Sequence, residues 1–201
     1  MPNRDLALYV VHAAFWASFG VTRALLRPRT GGLDQGAVTA PVAAAETTAR
    51  FSRTLVAVHM VAFGVMYFGI GNAVIPGRIP EWFRGQRLVG LVAIAVGAAL
   101  MSWALTYFQS WRFRAKLDSG HQLATGGPYQ FLRHPIYMGL NLLAIGTALW
   151  VPTPIVWAAA GLMLFGSDLR GRAEEALLTT AFGAEYLTYC ARTRRFVPGV
   201  Y

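Results

Sequence analysis

Long runs of apolar residues almost free of charge constrain this chain more than any other feature. Segments at 6–26, 54–75, 88–108, 136–150 and 155–165 contain, between them, Arg23 as their sole charged residue. Crossing a hydrocarbon core takes about 20 apolar helical residues, and each charge placed there is costly. With 55% apolar and 13% charged residues, the chain is poorly suited to a water-facing surface. The alternation of a β-barrel strand is absent. The expected fold is an all-α polytopic membrane protein of about five transmembrane helices in one domain spanning residues 1–201. Residues 6–116 form a substrate-side scaffold, and residues 117–201 form the functional half. The first run is too long for the apolar core of a signal peptide and lacks a small-residue cleavage site, so it reads as a retained anchor.

The net charge of +9 invites a nucleic-acid reading. The basic residues, however, cluster at the ends of apolar runs instead of interleaving with exposed aromatics, so topology is their use and no nucleic acid is expected. Five Arg lie between Arg23 and Arg53, four Arg or Lys between Arg112 and Arg133, and five Arg from Arg170 onward. The alternate connections hold only Arg4, Arg78, Arg84 and Arg87. The positive-inside rule then places the N-terminus outside and the other connections, with the C-terminus, in the cytoplasm. The Ala-, Arg- and Gly-rich, Lys-poor composition suggests a bacterial inner membrane. A single cysteine, Cys190, excludes an intramolecular disulfide and a multi-thiolate metal site.

Between the runs, residues 28–53 are rich in Gly, Ala and Thr and read as a loop. His12, inside the first run, is either a functional intramembrane group or a neutral, hydrogen-bonded packing residue. Gly69-Ile70-Gly71-Asn72 lies inside an apolar helix, so it is no dinucleotide loop, and close helix packing is the expected use of its glycines. Trp82, Arg84 and Arg87 suit an interfacial belt. The third run is expected to continue as a helix as far as Lys116. Val151-Pro152-Thr153-Pro154 is short enough to join the last two runs into an antiparallel hairpin. Residues 176–191 form an amphipathic, interfacial stretch with Leu177, Leu178, Phe182, Tyr186 and Tyr189 at helical spacing.

Polar and special-geometry residues crowd into His121–Gly139, HQLATGGPYQFLRHPIYMG. Gly126, Gly127 and Pro128 demand a tight turn, and Pro135 suits the first turn of the next helix. A helix start of this kind favours an anionic group, because its first amides lack partners. His121, Tyr129, Arg133 and His134 are expected to face Arg170, Arg172, Glu174 and Glu175 across the cytoplasmic mouth of the last hairpin. Glu174 and Arg170, four apart on one helix face, form either a local ion pair or a ligand site holding a cationic group and an anionic or carbonyl group.

These blocks resemble a family of integral-membrane methyltransferases that includes isoprenylcysteine carboxyl methyltransferases and phospholipid methyltransferases. Gly127-Pro128-Tyr129 with Arg133-His134-Pro135-Ile136-Tyr137-Met138-Gly139 resembles its RHPxYxG block. Arg170, Glu174-Glu175 and Phe182-Gly183-Ala184-Glu185-Tyr186, followed by Arg194 to Pro198, resemble its R…EE…FGxEY…P ending. The resemblance implies S-adenosylmethionine as cofactor, bound from the cytosol, and a lipophilic small molecule or lipid as acceptor, entering from among the membrane lipids. Carried over residue by residue, the cofactor contacts are His121, Gln122, Leu123, Ala124, Tyr129, Leu142, Leu143, Ala144, Ile145 and Glu174. His134 and Tyr137 shape the same pocket, Arg170 contacts the substrate near the reacting centre, and Arg114 stands where the isoprenylcysteine enzymes have a glutamine.

Methyl transfer from a sulfonium is an in-line displacement governed by alignment, and it needs no metal. A carboxylate acceptor needs no base, whereas an amine or thiol must lose a proton, for which His134 is a candidate. Isoprenylcysteine-type O-methylation is the leading reading. Phospholipid, small-amine or thiol methylation is the alternative within the class. An NADPH-dependent sterol-type reductase and a non-catalytic lipid-binding protein are the alternatives outside it.

Overall fold

A computed structural model describes residues 3–26, 42–75, 77–107 and 123–201, with side chains from Leu6 in the first stretch and from Leu55 in the second. Among the described residues six α-helices follow one another: α1 Asn3–Leu25, α2 Val42–Val74, α3 Gln86–Tyr107, α4 Pro135–Trp150, α5 Pro154–Phe182 and α6 Ala184–Arg192. A 3-10 turn, Gly127–Gln130, precedes α4, and the one extended pairing among these residues is a parallel bridge between Leu132 and Arg194. The all-helical expectation holds. Two helical stretches, Leu55–Val74 and Gln86–Tyr107, are long and apolar enough to cross a membrane, while apolar α4 has 16 residues.

Two boundaries differ from the sequence reading. The expected loop at 28–53 is helical from Val42, where Ala43, Ala44, Ala45 and Ala49 supply high helix propensity; residues 27–41 lie outside the described residues. The amphipathic stretch expected at 176–191 is broken at Gly183, whose φ of 52° ends α5 and starts α6. The continuation of α3 toward Lys116 lies outside the described residues.

Glycine pairs set the helix spacing. A Cβ on Gly97 would stand 2.7 Å from the Gly139 carbonyl oxygen, and one on Gly90 would stand 2.5 Å from that of Gly146. Backbones of α3 and α4 therefore touch at two levels, seven residues apart on each helix, as small residues allow in membranes. On the other side, Gly69 of α2 meets Ile155 and Val156 of α5, and Gly166 of α5 meets Val58 and His59 of α2. Gly71, by contrast, faces open space, so only the first glycine of the run at 69–72 packs a helix closely. The short connection makes a defined corner between α4 and α5: the Val151 N–H donates to Thr147 O, and Thr153 caps α5 through Val156 N–H.

His12 is a packing residue in this fold, 3% exposed and bonded to Tyr67 and Thr147. Trp82 of the α2–α3 connection stacks on Trp157 of α5, which brings that connection and the α4–α5 corner to one end of the bundle. The block 123–134 and the residues from Arg170 onward gather at the other.

Candidate active site

The turn before α4 is shaped by the end of α3. The Tyr107 ring lies on Gly126 and Gly127, where added Cβ atoms would come within 2.8 and 2.4 Å of it, and Gly127 has φ 56°. Pro128 is the second residue of the 3-10 turn, and Tyr129 follows it into the interior. The chain is next tied to the C-terminal residues: Arg133 N–H donates to Arg194 O at 2.7 Å, and His134 N–H donates to Arg195 O at 3.2 Å. These bonds deliver His134 as the residue before α4, with Pro135 in its first turn and Tyr137 three residues on.

Tyr137 and His134 stack, with ring centroids 5.6 Å apart, and both face the paired glutamates of α5. Glu174 accepts a short hydrogen bond from the Tyr137 hydroxyl, and its Oε2 lies 3.6 Å from His134 Nδ1. Arg170, one turn earlier on α5, sets Nη2 3.8 Å from Glu174 Oε1 and its guanidinium 4.8 Å from the Tyr137 ring centre. Glu175 is bound differently. It accepts from Arg133 Nε at 2.9 Å, from Arg195 Nε at 3.0 Å and Nη2 at 2.6 Å, and lies 3.2 Å from His134 Nε2. Gly171 leaves room for this meeting, since a Cβ there would stand 3.3 Å from His134 and 3.4 Å from Arg195.

The cluster is electrostatically self-consistent. Burial disfavours the His134 imidazolium, but hydrogen bonds and charge from Glu174 and Glu175 outweigh it and raise the pKa above the ordinary 6.5. Burial likewise opposes ionisation of Glu174, and His134, Arg170 and Tyr137 overcome it, so the carboxyl sits below the usual carboxylate range. Glu175 lies well below that range for the same reason, with Arg195 and Arg133 among its partners. The anions that meet this helix start are thus carboxylates of the chain itself.

Two cavities adjoin the cluster. Leu123, Ala124, Tyr129, His134, Tyr137 and Glu174, all expected contacts, line the first together with Arg133, Ile136, Leu178, Tyr186 and Tyr189. The expected Leu142, Leu143, Ala144 and Ile145 are not in its wall: Leu143 and Ala144 are core residues of α4, and Leu142 packs on Gly97. His121, Gln122 and Arg114 lie outside the described residues. The second cavity, about 280 Å³, is walled mainly by apolar residues of α1 to α4 and contains His59 and Arg170. Ile136 borders both, and Arg170, Tyr137 and Glu174 form the polar partition between them. Sequence reasoning did not find Arg195 or the α1 and α2 residues of the second cavity. Arg195 falls within the motif's ending, whereas the α1 and α2 residues stand in no motif.

A helical bundle in which two described helices are long and apolar enough to cross a membrane, with a charged partition between two cavities at one end, sets a polar site beside an apolar one. Residues 86–185, about half of the chain, match the phospholipid methyltransferase family, and the chain belongs to that group of methyltransferases. It is 32% identical over 130 residues to protein-S-isoprenylcysteine O-methyltransferase B of Arabidopsis thaliana, covering 62% of this chain and 64% of that protein. It is 41% identical over 78 residues to the protein-S-isoprenylcysteine O-methyltransferase of Saccharomyces cerevisiae, 38% of this chain and 32% of that one. With the Homo sapiens protein of that name it shares 32% over 117 residues, 55% and 40% of the two chains. Each match spans less than two thirds of the relative's length.

Proposed function

We propose that this chain is an integral membrane methyltransferase that uses S-adenosylmethionine from the cytoplasmic side on a lipophilic acceptor held in the apolar cavity. In this reading all five helices α1 to α5, the 16-residue α4 included, cross the bilayer. One observation carries it: Arg170, Tyr137 and Glu174 separate a cavity lined by tyrosines and a carboxylate from one lined by apolar side chains.

The donor set of the first cavity, about 70 Å³ among the described residues, suits the charged end of S-adenosylmethionine. An ionised carboxyl has about four acceptor sites, so Glu174 can hold a ligand ammonium beside the Tyr137 hydroxyl. The faces of Tyr129, Tyr186 and Tyr189 suit a planar base and a sulfonium. S-adenosylmethionine, when bound, supplies an electrophilic methyl group. The residues of this chain supply alignment: Glu174 holds the charged end of one ligand, and Arg170 orients an oxygen-bearing head on the other. Both nitrogens of His134 face glutamates, so its work is to hold Glu174 and Glu175 in register, and taking a proton from the acceptor is not assigned to it. The relatives are named isoprenylcysteine O-methyltransferases, which favours an oxygen acceptor and speaks against the NADPH reading.

Calorimetric titration of purified protein with S-adenosylmethionine and its demethylated product tests the proposal, beside Glu174→Gln and an NADPH control. Loss of a charge-assisted hydrogen bond predicts affinity lower by roughly ten- to a hundredfold in the variant. A well-folded wild type that binds neither ligand ends the proposal.

A further inference from the structure

The apolar cavity has a built end. From α2 it takes Val56, His59, Met60 and Phe63, and from α1 Phe19 and, one turn deeper, Trp16. Val56 to Phe63 covers two helical turns, about 10 Å of depth. Arg170 and Ile136 stand at the shallow end, beside the polar partition, while Trp16 and Phe63 are the deepest residues of their helices and meet edge to face, 5.2 Å between centroids at 67°.

Trp16 does not rely on packing alone. Its indole N–H donates to the Tyr67 hydroxyl at 3.0 Å, and that hydroxyl lies 3.1 Å from His12 Nδ1. His12 Nε2 is 2.9 Å from Thr147 Oγ1, and the Thr147 hydroxyl donates to Leu143 O at 2.6 Å. The proton count has one solution. Thr147 spends its proton on Leu143, so it accepts from His12 Nε2–H. Nδ1 is therefore the lone pair that takes the Tyr67 proton, which leaves the Tyr67 oxygen to accept from Trp16. A chain of four bonds thus runs from Trp16 through α2 and α1 to the backbone of α4, with no polar group left over where water is scarce. Such bonding is not routine for this chain's indoles: the buried N–H groups of Trp150 and Trp157 have no partner.

We infer that Trp16, pinned by the Tyr67–His12–Thr147 chain, is the wall that fixes how long an acceptor this protein takes. The inference rests on the methyltransferase reading for its meaning, since it treats the apolar cavity as the acceptor site. Among the described lining residues Arg170 alone carries a fixed charge, so the fitting ligand is an amphiphile with an anionic or oxygen-rich head and a compact apolar body. At about 280 Å³ the cavity lies just below the range of roughly 300–1,000 Å³ for drug-sized ligands. Its depth falls short of the roughly 15 Å of one leaflet's hydrocarbon, so a full phospholipid acyl chain does not fit inside. The intramembrane histidine thereby holds a specificity wall in place without touching the ligand.

The probes are saturated fatty acids of graded length, from six to sixteen carbons, titrated calorimetrically into the full chain in nanodiscs, with S-adenosylmethionine titrated into the same samples. In the wild type affinity rises roughly fourfold per methylene while the chain still finds cavity, then stops rising. Trp16→Ala moves that stop to longer chains. Tyr67→Phe, which keeps the ring but removes the hydroxyl shared by Trp16 and His12, moves or blurs it in the same direction and leaves S-adenosylmethionine affinity within twofold. A stop at the same length in both variants overturns the wall, as does the absence of fatty-acid binding to wild type. Wild-type protein with the length-dependent stop but no S-adenosylmethionine binding keeps the wall and sinks the methyltransferase reading, so the two failures are distinct.

Discussion

His134 stands between two carboxylates with different surroundings, and that asymmetry makes its titration visible. Its folded pKa is raised, so the stabilisation it gives is complete below the ordinary imidazole value of 6.5 and is lost as pH climbs through the folded value. Thermal midpoints of the wild type should therefore fall as pH rises from 6.5, and those of His134→Gln should be flatter across that window. Parallel slopes would show that the imidazolium is not the coupled group. Glu175 works in the opposite sense: its pKa is lowered, so its contribution is present above the usual carboxylate value and fades only in strong acid. Removing its charge takes the carboxylate partner from Arg133, which keeps backbone carbonyls, and leaves Arg195 with Asp168 as its carboxylate partner. Glu175→Gln should cost about 2–3 kcal/mol, between the values for exposed and buried pairs. Glu174→Gln should act mainly on ligand affinity, since Tyr137 can still donate to the amide oxygen.

Helix packing turns on glycines whose importance differs by context. A methyl at Gly97 or Gly90 would press on a backbone carbonyl of α4, which cannot swing aside as a side chain does. Gly97→Ala should destabilise by about 1–3 kcal/mol. Gly71→Ala meets open space and should be neutral or stabilising by up to about 1 kcal/mol through helix propensity. Heating detergent-solubilised variants and following the folded fraction by size-exclusion chromatography separates these outcomes; equal losses at both positions would refute the packing account. The contrast also shows what was legible in advance. Apolar runs and the Pro152–Pro154 corner carry local signals, so the helices and their order could be read, as could Tyr129, His134, Tyr137, Arg170 and Glu174 from one compact motif pair. Which glycine touches a neighbour, and that Arg195 reaches Glu175, depend on helices meeting far from one another in sequence. Trp16 and Phe63 line a cavity without any periodic mark that distinguishes them from lipid-facing aromatics.

At the scale of the molecule, the polar cluster lies at one end of the bundle and the tryptophan stack at the other, so orientation decides which compartment serves the site. Several contacts agree on the alternation: Trp82 with Trp157, Gly69 with Ile155, and Gly90 with Gly146 all join the end opposite Arg170. Fourteen of the 18 basic residues lie, by sequence, at 23–53, at 112–133 and from Arg170 onward. Under the positive-inside rule that bias favours a cytoplasmic cluster, which the proposed use of S-adenosylmethionine requires. The chain's single cysteine permits a direct check. In a Cys190→Ser background, Glu81→Cys, beside the exposed Trp82, should react with a membrane-impermeant maleimide in intact cells. Leu187→Cys, at a position 58% exposed on α6, should react only after the membrane is opened. The reverse pattern would put Glu174 and Arg170 outside, beyond reach of a cytosolic methyl donor, and would undo the proposed function even if the purified protein bound S-adenosylmethionine.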